Sequence, residues 1–127
     1  MLRIFSCFLT FFIFFSCSKI NVYKEAAFSN YYKNKSSKIL IDVRTPEEFK
    51  TGKAIEAINI DFYNESFETN LLKISKNKEI YLYCRSGRRS GIASQFLIEN
   101  GYRNVYNIYE GIIKMDSIYL NSSTFNN

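Results

Sequence analysis

Apolar and polar positions fall in alternating blocks along this chain. Lys38-Ile39-Leu40-Ile41-Asp42-Val43 is a nearly continuous β-branched apolar run, the pattern of a strand covered on both faces. Ile80 to Tyr83 repeats it. Ala57 to Ile60, Val105 to Ile108 and, more weakly, Lys19 to Val22 read as further short strands. Between them lie stretches of helical spacing: a weak one near Lys24 to Lys33, then Phe67, Leu71 and Ile74, then Ile92, Ala93, Phe96 and Leu97 on one face. Thr45-Pro46-Glu47-Glu48 carries the signals of a helix start. Thr45 fits the N-cap, Pro46, the only proline in the chain, fits the first helical position, and Glu48 completes a capping box. Asn100-Gly101 supplies a stop, with Gly101 as the C′ residue. Gly111 to Leu120 predicts a closing helix, apolar on most sides, and Asn121 to Asn127 a polar, frayed tail. Strands alternating with helices in this way predict an α/β fold, a parallel sheet of about five short strands flanked by helices on both faces.

The first twenty residues depart from that alternation. Arg3 makes a short positive start, and Ile4 to Phe15 an apolar stretch of a dozen residues, short of the roughly 20 that cross a bilayer as a helix. This is the pattern of a signal peptide, so residues 1–16 are set apart from a domain spanning 17–127. Phe14-Phe15-Ser16-Cys17 resembles a bacterial lipobox, with Phe14 bulkier than the usual residue at its place. That resemblance makes Cys17 the candidate for lipid attachment; a plain secretion signal and an uncleaved anchor are the other readings. The expected location is exported, as a membrane-anchored lipoprotein facing the periplasm or the cell exterior.

Composition narrows the field further. With 127 residues, 46% apolar and 17% aromatic, the chain suits one compact domain and is too short for two. Charged residues are only 23%, which together with the apolar runs argues against disorder. The formal charge of +5 is modest, and its lysines and arginines are interleaved with acids and asparagines. That is the pattern of a solvated basic surface rather than a nucleic-acid interface. Only residues 85 to 89 concentrate positive charge.

Cysteine usage then isolates one residue. If Cys7 leaves with the signal and Cys17 takes the lipid, Cys84 is the one free thiol, and no internal disulfide can form. An inert core cysteine is the plainer reading of a lone thiol. Its neighbours oppose that reading, because the basic stretch Arg85-Ser86-Gly87-Arg88-Arg89-Ser90 follows at once and cannot be buried cheaply. Cys84 closes a predicted strand of a parallel sheet, the end at which such sheets bind ligands, and a helix begins a few residues later. Gly87 lets the backbone turn tightly, so the N–H groups of the 85 to 90 loop can point inward as an anion-binding nest, aided by the positive end of the helix dipole. The nest and the guanidinium groups together predict a thiol pKa lowered from about 8.5. In a chain with no histidine, the loop itself would ionise the nucleophile.

Asp42-Val43-Arg44-Thr45-Pro46-Glu47-Glu48-Phe49, Gly52 with Ala57-Ile58-Asn59-Ile60, Tyr83-Cys84-Arg85-Ser86-Gly87-Arg88-Arg89-Ser90 and Gly101-Tyr102-Arg103-Asn104-Val105 follow one another in an order that resembles a single-domain rhodanese, a thiosulfate sulfurtransferase-like protein. The resemblance implies that Cys84 takes a sulfane sulfur as a persulfide and that the loop amides from Arg85 to Arg89 cradle the substrate anion. It also implies that Arg89 closes the loop, and that Asp42 and Arg44 stand beside it; the plainer reading of those two is a strand-end ion pair supporting the fold. Three departures from the family pattern stand out. Gly52-Lys53-Ala54 lacks the common histidine, Ile55-Glu56 replaces a Pro-Gly and so predicts a turn of different shape, and Glu110-Gly111 with Met115 replaces a Gly-Gly with a downstream tryptophan.

Two other classes share this pattern. Phosphatases of the cell-cycle dual-specificity type, and related arsenate reductases, space their loop as Cys-x5-Arg. Here four residues separate Cys84 from Arg89 and Ser90 takes the sixth position, a shorter loop that favours sulfur over the three equatorial oxygens of a phosphoryl group. Non-catalytic rhodanese-like binding modules at the cell envelope usually lack the cysteine that is kept here. The expectation is therefore a sulfurtransferase passing sulfur from a donor such as thiosulfate to a thiophilic acceptor. It would be a monomer whose partners are a small sulfur-containing anion, a thiol or cyanide acceptor and, through its lipid, a membrane, with no nucleic acid. No metal and no organic cofactor is implied, since the mature chain offers no histidine and one free cysteine as ligands.

Overall fold

The structure, a computed structural model, describes residues 21–33 and 36–121. The proposed signal segment 1–16, Cys17 and residues 122–127 of the tail lie outside the described residues. Five strands form one sheet: β1 (Lys24–Ala26), β2 (Lys38–Asp42), β4 (Ile58–Asn59), β5 (Glu79–Tyr83) and β6 (Val105–Ile108). All pair in parallel, in the spatial order β1-β6-β5-β2-β4. Helices α1 (Phe28–Lys33), α2 (Pro46–Thr51), α3 (Phe67–Leu72) and α4 (Arg88–Glu99) complete the alternation. A small second ladder joins β3 (Lys53–Ala54) to β7 (Leu120–Asn121) in antiparallel fashion.

Side chains alternate across each strand, so the two faces of the sheet bury different residues. On one face Ile41, Val43, Ile80, Leu82 and Cys84 pack with Phe67 and Leu71 of α3 and with Ala93, Leu97 and Ile98 of α4. On the other, Leu40, Tyr81, Tyr83 and Ile108 pack with Phe28 and Tyr31 of α1 and with Met115. The predicted α/β sheet with helices on both faces is the observed one. The capping box also stands as read: Thr45 Oγ1 accepts from the Glu48 amide at 3.3 Å, and the Thr45 amide donates to Glu48 Oε2 at 2.9 Å. Gly101 ends α4 with φ +86, in the left-handed region.

Four expectations need correction. Of the strand expected over Lys19 to Val22, Lys19 and Ile20 lie outside the described residues, and Asn21 and Val22 form no strand; the first strand among the described residues is β1, because register with Tyr106 to Ile108 selects Lys24 to Ala26, and the following helix is shortened to α1. Ile92 is 49% exposed, and the buried stripe of α4 runs through Ser90, Gly91, Ala93, Ser94, Leu97 and Ile98. The 84 to 90 loop presses Ser90 and Gly91 toward the sheet and so sets the rotation of the helix. Gly111 to Leu120 is no helix but two short 3-10 turns, Ile112–Lys114 and Ser117–Tyr119, with extended backbone at Met115 and Asp116 between them. Its apolar residues lack helical period: Met115 fills the core while Ile113 and Ile118 are exposed. Asn121, expected in the frayed tail, pairs with Lys53 in β7.

Candidate active site

Cys84 follows the carboxyl end of β5, the central strand of the sheet, and Gly87 begins α4 three residues later. Gly87 adopts φ +91, where a Cβ would also lie 2.7 Å from the Tyr109 carbonyl oxygen. Only glycine meets both conditions, and the chain there doubles back over the sulfur. The Gly87 amide donates to Cys84 Sγ at 3.1 Å, and Ser90 Oγ stands 3.5 Å from the same atom. Burial by itself pushes the Cys84 thiol up. The Ser90 hydroxyl, with the amides of Ser90, Ser86 and Gly87, outweighs it and holds the pKa below that of an ordinary thiol.

The residue itself is 1% exposed, so the sulfur forms the floor of the loop while Arg85, Ser86 and Arg88 remain at the surface. The thiol is thus buried after all, and the polar stretch that seemed to forbid this runs around it instead of over it. The loop is propped from behind. The Ile112 amide donates to the Cys84 carbonyl at 2.9 Å and the Ile113 amide to the Arg85 carbonyl at 3.3 Å.

The arginines do not surround the sulfur as expected. Arg89 turns to α2, where its two terminal nitrogens bind the two oxygens of Glu48 at 2.8 and 2.9 Å, with the Tyr63 ring 5.7 Å away. The bidentate bond to Arg89 holds the Glu48 carboxyl down at about 2, and the same bond pushes the Arg89 pKa up, with a smaller contribution from charge on Cys84. Arg89 therefore closes the loop by tying it to α2. The leading ionising groups are amides and a hydroxyl, with the Arg89 guanidinium secondary. Asp42 and Arg44 lie on the Tyr83 face of the sheet, opposite to Cys84. Arg44 Nη2 meets Asp42 Oδ2 at 2.6 Å and the Gly52 carbonyl at 2.6 Å, and the Arg44 guanidinium lies 5.7 Å from the Tyr83 ring centre. The Tyr83 hydroxyl bonds Asp42 and accepts from the Ala54 amide at 3.0 Å. These contacts bind β2 to β3 and β5.

Three participants were not singled out from the sequence. The sequence marks Glu48 only as a cap. Asn107 on β6, 3% exposed, accepts from Ser90 Oγ at 2.7 Å. Gly111 packs against the loop, where a Cβ would lie 2.1 Å from the Arg85 carbonyl oxygen. At the departures from the family pattern, Glu56 takes φ +67, a left-handed conformation that glycine would adopt more easily, and Met115 is buried beside Tyr83 and Ile108.

A parallel α/β sheet with a thiol at the tip of its central strand, wrapped by a six-residue loop that starts a helix, defines a class of anion-binding thiol sites. The chain belongs to the rhodanese-like domain family, whose pattern matches residues 26–116. A sulfurtransferase of Allochromatium vinosum is 35% identical over 75 residues, 59% of this chain and 68% of that protein. A tRNA uridine(34) hydroxylase of Buchnera aphidicola is 37% identical over 106 residues, 80% of this chain but 34% of the relative, so this chain spans about a third of that protein's length. The crystal structure of a rhodanese-like domain protein from Staphylococcus aureus superposes with a TM-score of 0.67 at 25% identity, covering 80% of this chain and 99% of that one.

Proposed function

We propose that this chain is a sulfurtransferase that moves a sulfane sulfur through a persulfide on Cys84. The Cys84 thiolate attacks the outer sulfur of a donor such as thiosulfate. An Sγ–S bond forms, the S–S bond of the donor breaks, and its electron pair leaves with sulfite. A thiolate or cyanide acceptor then attacks the outer sulfur of the persulfide and restores the Cys84 thiolate, so one difficult transfer becomes two easier ones. Arg85 and Arg88 at the exposed rim draw the donor anion in, and the amides of Ser86, Gly87 and Ser90 hold the charge on sulfur. The observation that carries this reading is the convergence of those donors on one sulfur within a span from Cys84 to Arg89 that leaves four intervening residues. The ring is tight enough for a single added sulfur and crowded for phosphate.

The test is turnover by the purified chain. Thiosulfate with cyanide yields thiocyanate, aryl phosphates are hydrolysed negligibly, and Cys84→Ser abolishes the transfer while leaving the melting curve in place. Efficient hydrolysis of phosphate esters without sulfur transfer overturns the reading. The N-terminal part of the proposal rests on the sequence alone. In it the mature chain begins at a lipidated Cys17, acts as a monomer and stays on the outer side of a membrane. Cys17→Ala then releases the protein from the membrane fraction or leaves an unprocessed precursor; an intact, unmodified Met1 in the native protein would sink that part.

A further inference from the structure

Ser90 has one hydroxyl proton and two acceptors within reach, Asn107 Oδ1 at 2.7 Å and Cys84 Sγ at 3.5 Å. The orientation of the Asn107 amide is fixed by its other contacts. Its nitrogen donates to the Gly87 carbonyl at 3.2 Å and faces Glu25 Oε2 at 3.4 Å, across the β1–β6 pair in which Glu25 is the register partner of Asn107. Reversing the amide would set its oxygen against both of those acceptors, so Oδ1 faces Ser90. The shorter distance assigns the Ser90 proton to Asn107. A neutral Cys84 thiol completes a chain in which S–H donates to Ser90 Oγ and Ser90 O–H donates to Asn107. When Cys84 ionises, the Gly87 amide already donates to the sulfur at 3.1 Å and the Ser90 hydroxyl is the side-chain donor that can turn to the new charge; turning it leaves Oδ1 of the buried Asn107 without a partner.

We propose that Asn107 is a positioning residue that competes with the Cys84 thiolate for the single proton of Ser90 and so sets how readily the nucleophile ionises. The competition ends when sulfur is loaded. In a persulfide the charge sits on the outer sulfur, Sγ becomes a neutral bridge, and Ser90 can return to Asn107. Asn107 therefore weighs against the empty thiolate and not against the loaded form. Other titratable and charged groups lie on the elements packed around this trio: Tyr23 and Glu25 beside α4, the exposed Arg85 and Arg88 of the loop, Arg89 with Glu48 of α2, Tyr63 against Arg89, and Tyr109, whose backbone backs Gly87. All stay the same in the variants compared below, so differences between variants isolate the amide.

The inference rests on Cys84 as the nucleophile but is read from ionisation, not from sulfur transfer, so either claim can fail while the other stands. The measurement is thiolate ultraviolet absorbance of the full chain against pH, taken as the difference from Cys84→Ser, which removes the signal of Cys7 and Cys17. Asn107→Leu lowers the Cys84 midpoint by about one pH unit, the size expected when one orphaned buried acceptor no longer opposes ionisation. In a Ser90→Ala background the same substitution shifts nothing. An unchanged or raised midpoint in the Ser90 background, or an equal shift in both, overturns the proposal. A second measurement needs no change at Asn107. The side-chain carbonyl carbon resonance of Asn107 in the unaltered protein moves through the same midpoint as the thiolate absorbance, and a resonance that stays flat across that midpoint also overturns it.

Discussion

A missing Cβ at Gly111 lets two loops lie against each other. With φ +62 and ψ 174, Gly111 occupies backbone space that is essentially closed to other residues, and a Cβ there would stand 2.1 Å from the Arg85 carbonyl oxygen and 2.7 Å from the Ser86 Cα. Gly111→Ala is expected to cost about 1–3 kcal/mol of stability through backbone strain. It should also slow alkylation of Cys84, because the bonds from the Ile112 and Ile113 amides to the Cys84 and Arg85 carbonyls cannot survive the displacement. A variant with unaltered melting temperature and unaltered thiol reactivity would contradict this. At this scale the sequence was legible in part. Gly87 could be picked out because it lies inside the basic loop that follows Cys84. Gly111 could not, since the demand for it comes from a carbonyl on a distant segment, and Asn107 looked like one more polar position in a short strand.

Between elements, the Glu48–Arg89 pair ties the first turn of α2 to the first turn of α4. Glu48 is also the third helical residue and closes the α2 capping box, so one carboxylate serves the helix start and the loop closure together. The carboxyl is held near 2 in the folded protein, first by Arg89, against an ordinary value of 4.5. A depressed folded pKa means the folded state binds its proton later than the unfolded one. The contribution to stability is therefore full above about pH 4.5 and fades as pH falls toward 2. Urea midpoints measured across that range should fall less steeply for Glu48→Gln than for the unaltered protein, and parallel acid limbs would contradict the assignment. The capping box was legible because its residues are consecutive and its chemistry is local. The second bond of Glu48 was not, because nothing in a helix start announces a partner on another helix. The closing segment failed for a related reason: Gly111 to Leu120 is apolar enough for a helix, but β7 is claimed by β3 and the segment runs irregularly to reach it.

Across the whole molecule, the alternation of apolar runs was enough to give the parallel sheet, and the sheet places Cys84 where ligands reach such folds. The two faces then divide the motif residues in a way the linear sequence conceals. Asp42 and Arg44 precede α2 as Cys84 precedes α4, yet they pack on the Tyr83 face, while Cys84 packs on the Leu82 face. Proximity of motifs in the pattern of a family is not proximity of side chains, and here the sheet stands between them. What remains at the sulfur is a small set: three amides, one hydroxyl, and an arginine committed to a carboxylate. That set suits holding one charged sulfur. The most direct measurement is the intact mass of the protein after incubation with thiosulfate and removal of the reagent. The account predicts the gain of one sulfur atom on Cys84, lost again on adding cyanide with release of thiocyanate, and absent in Cys84→Ser. A Cys84 that gains no sulfur from thiosulfate or from polysulfide would contradict it.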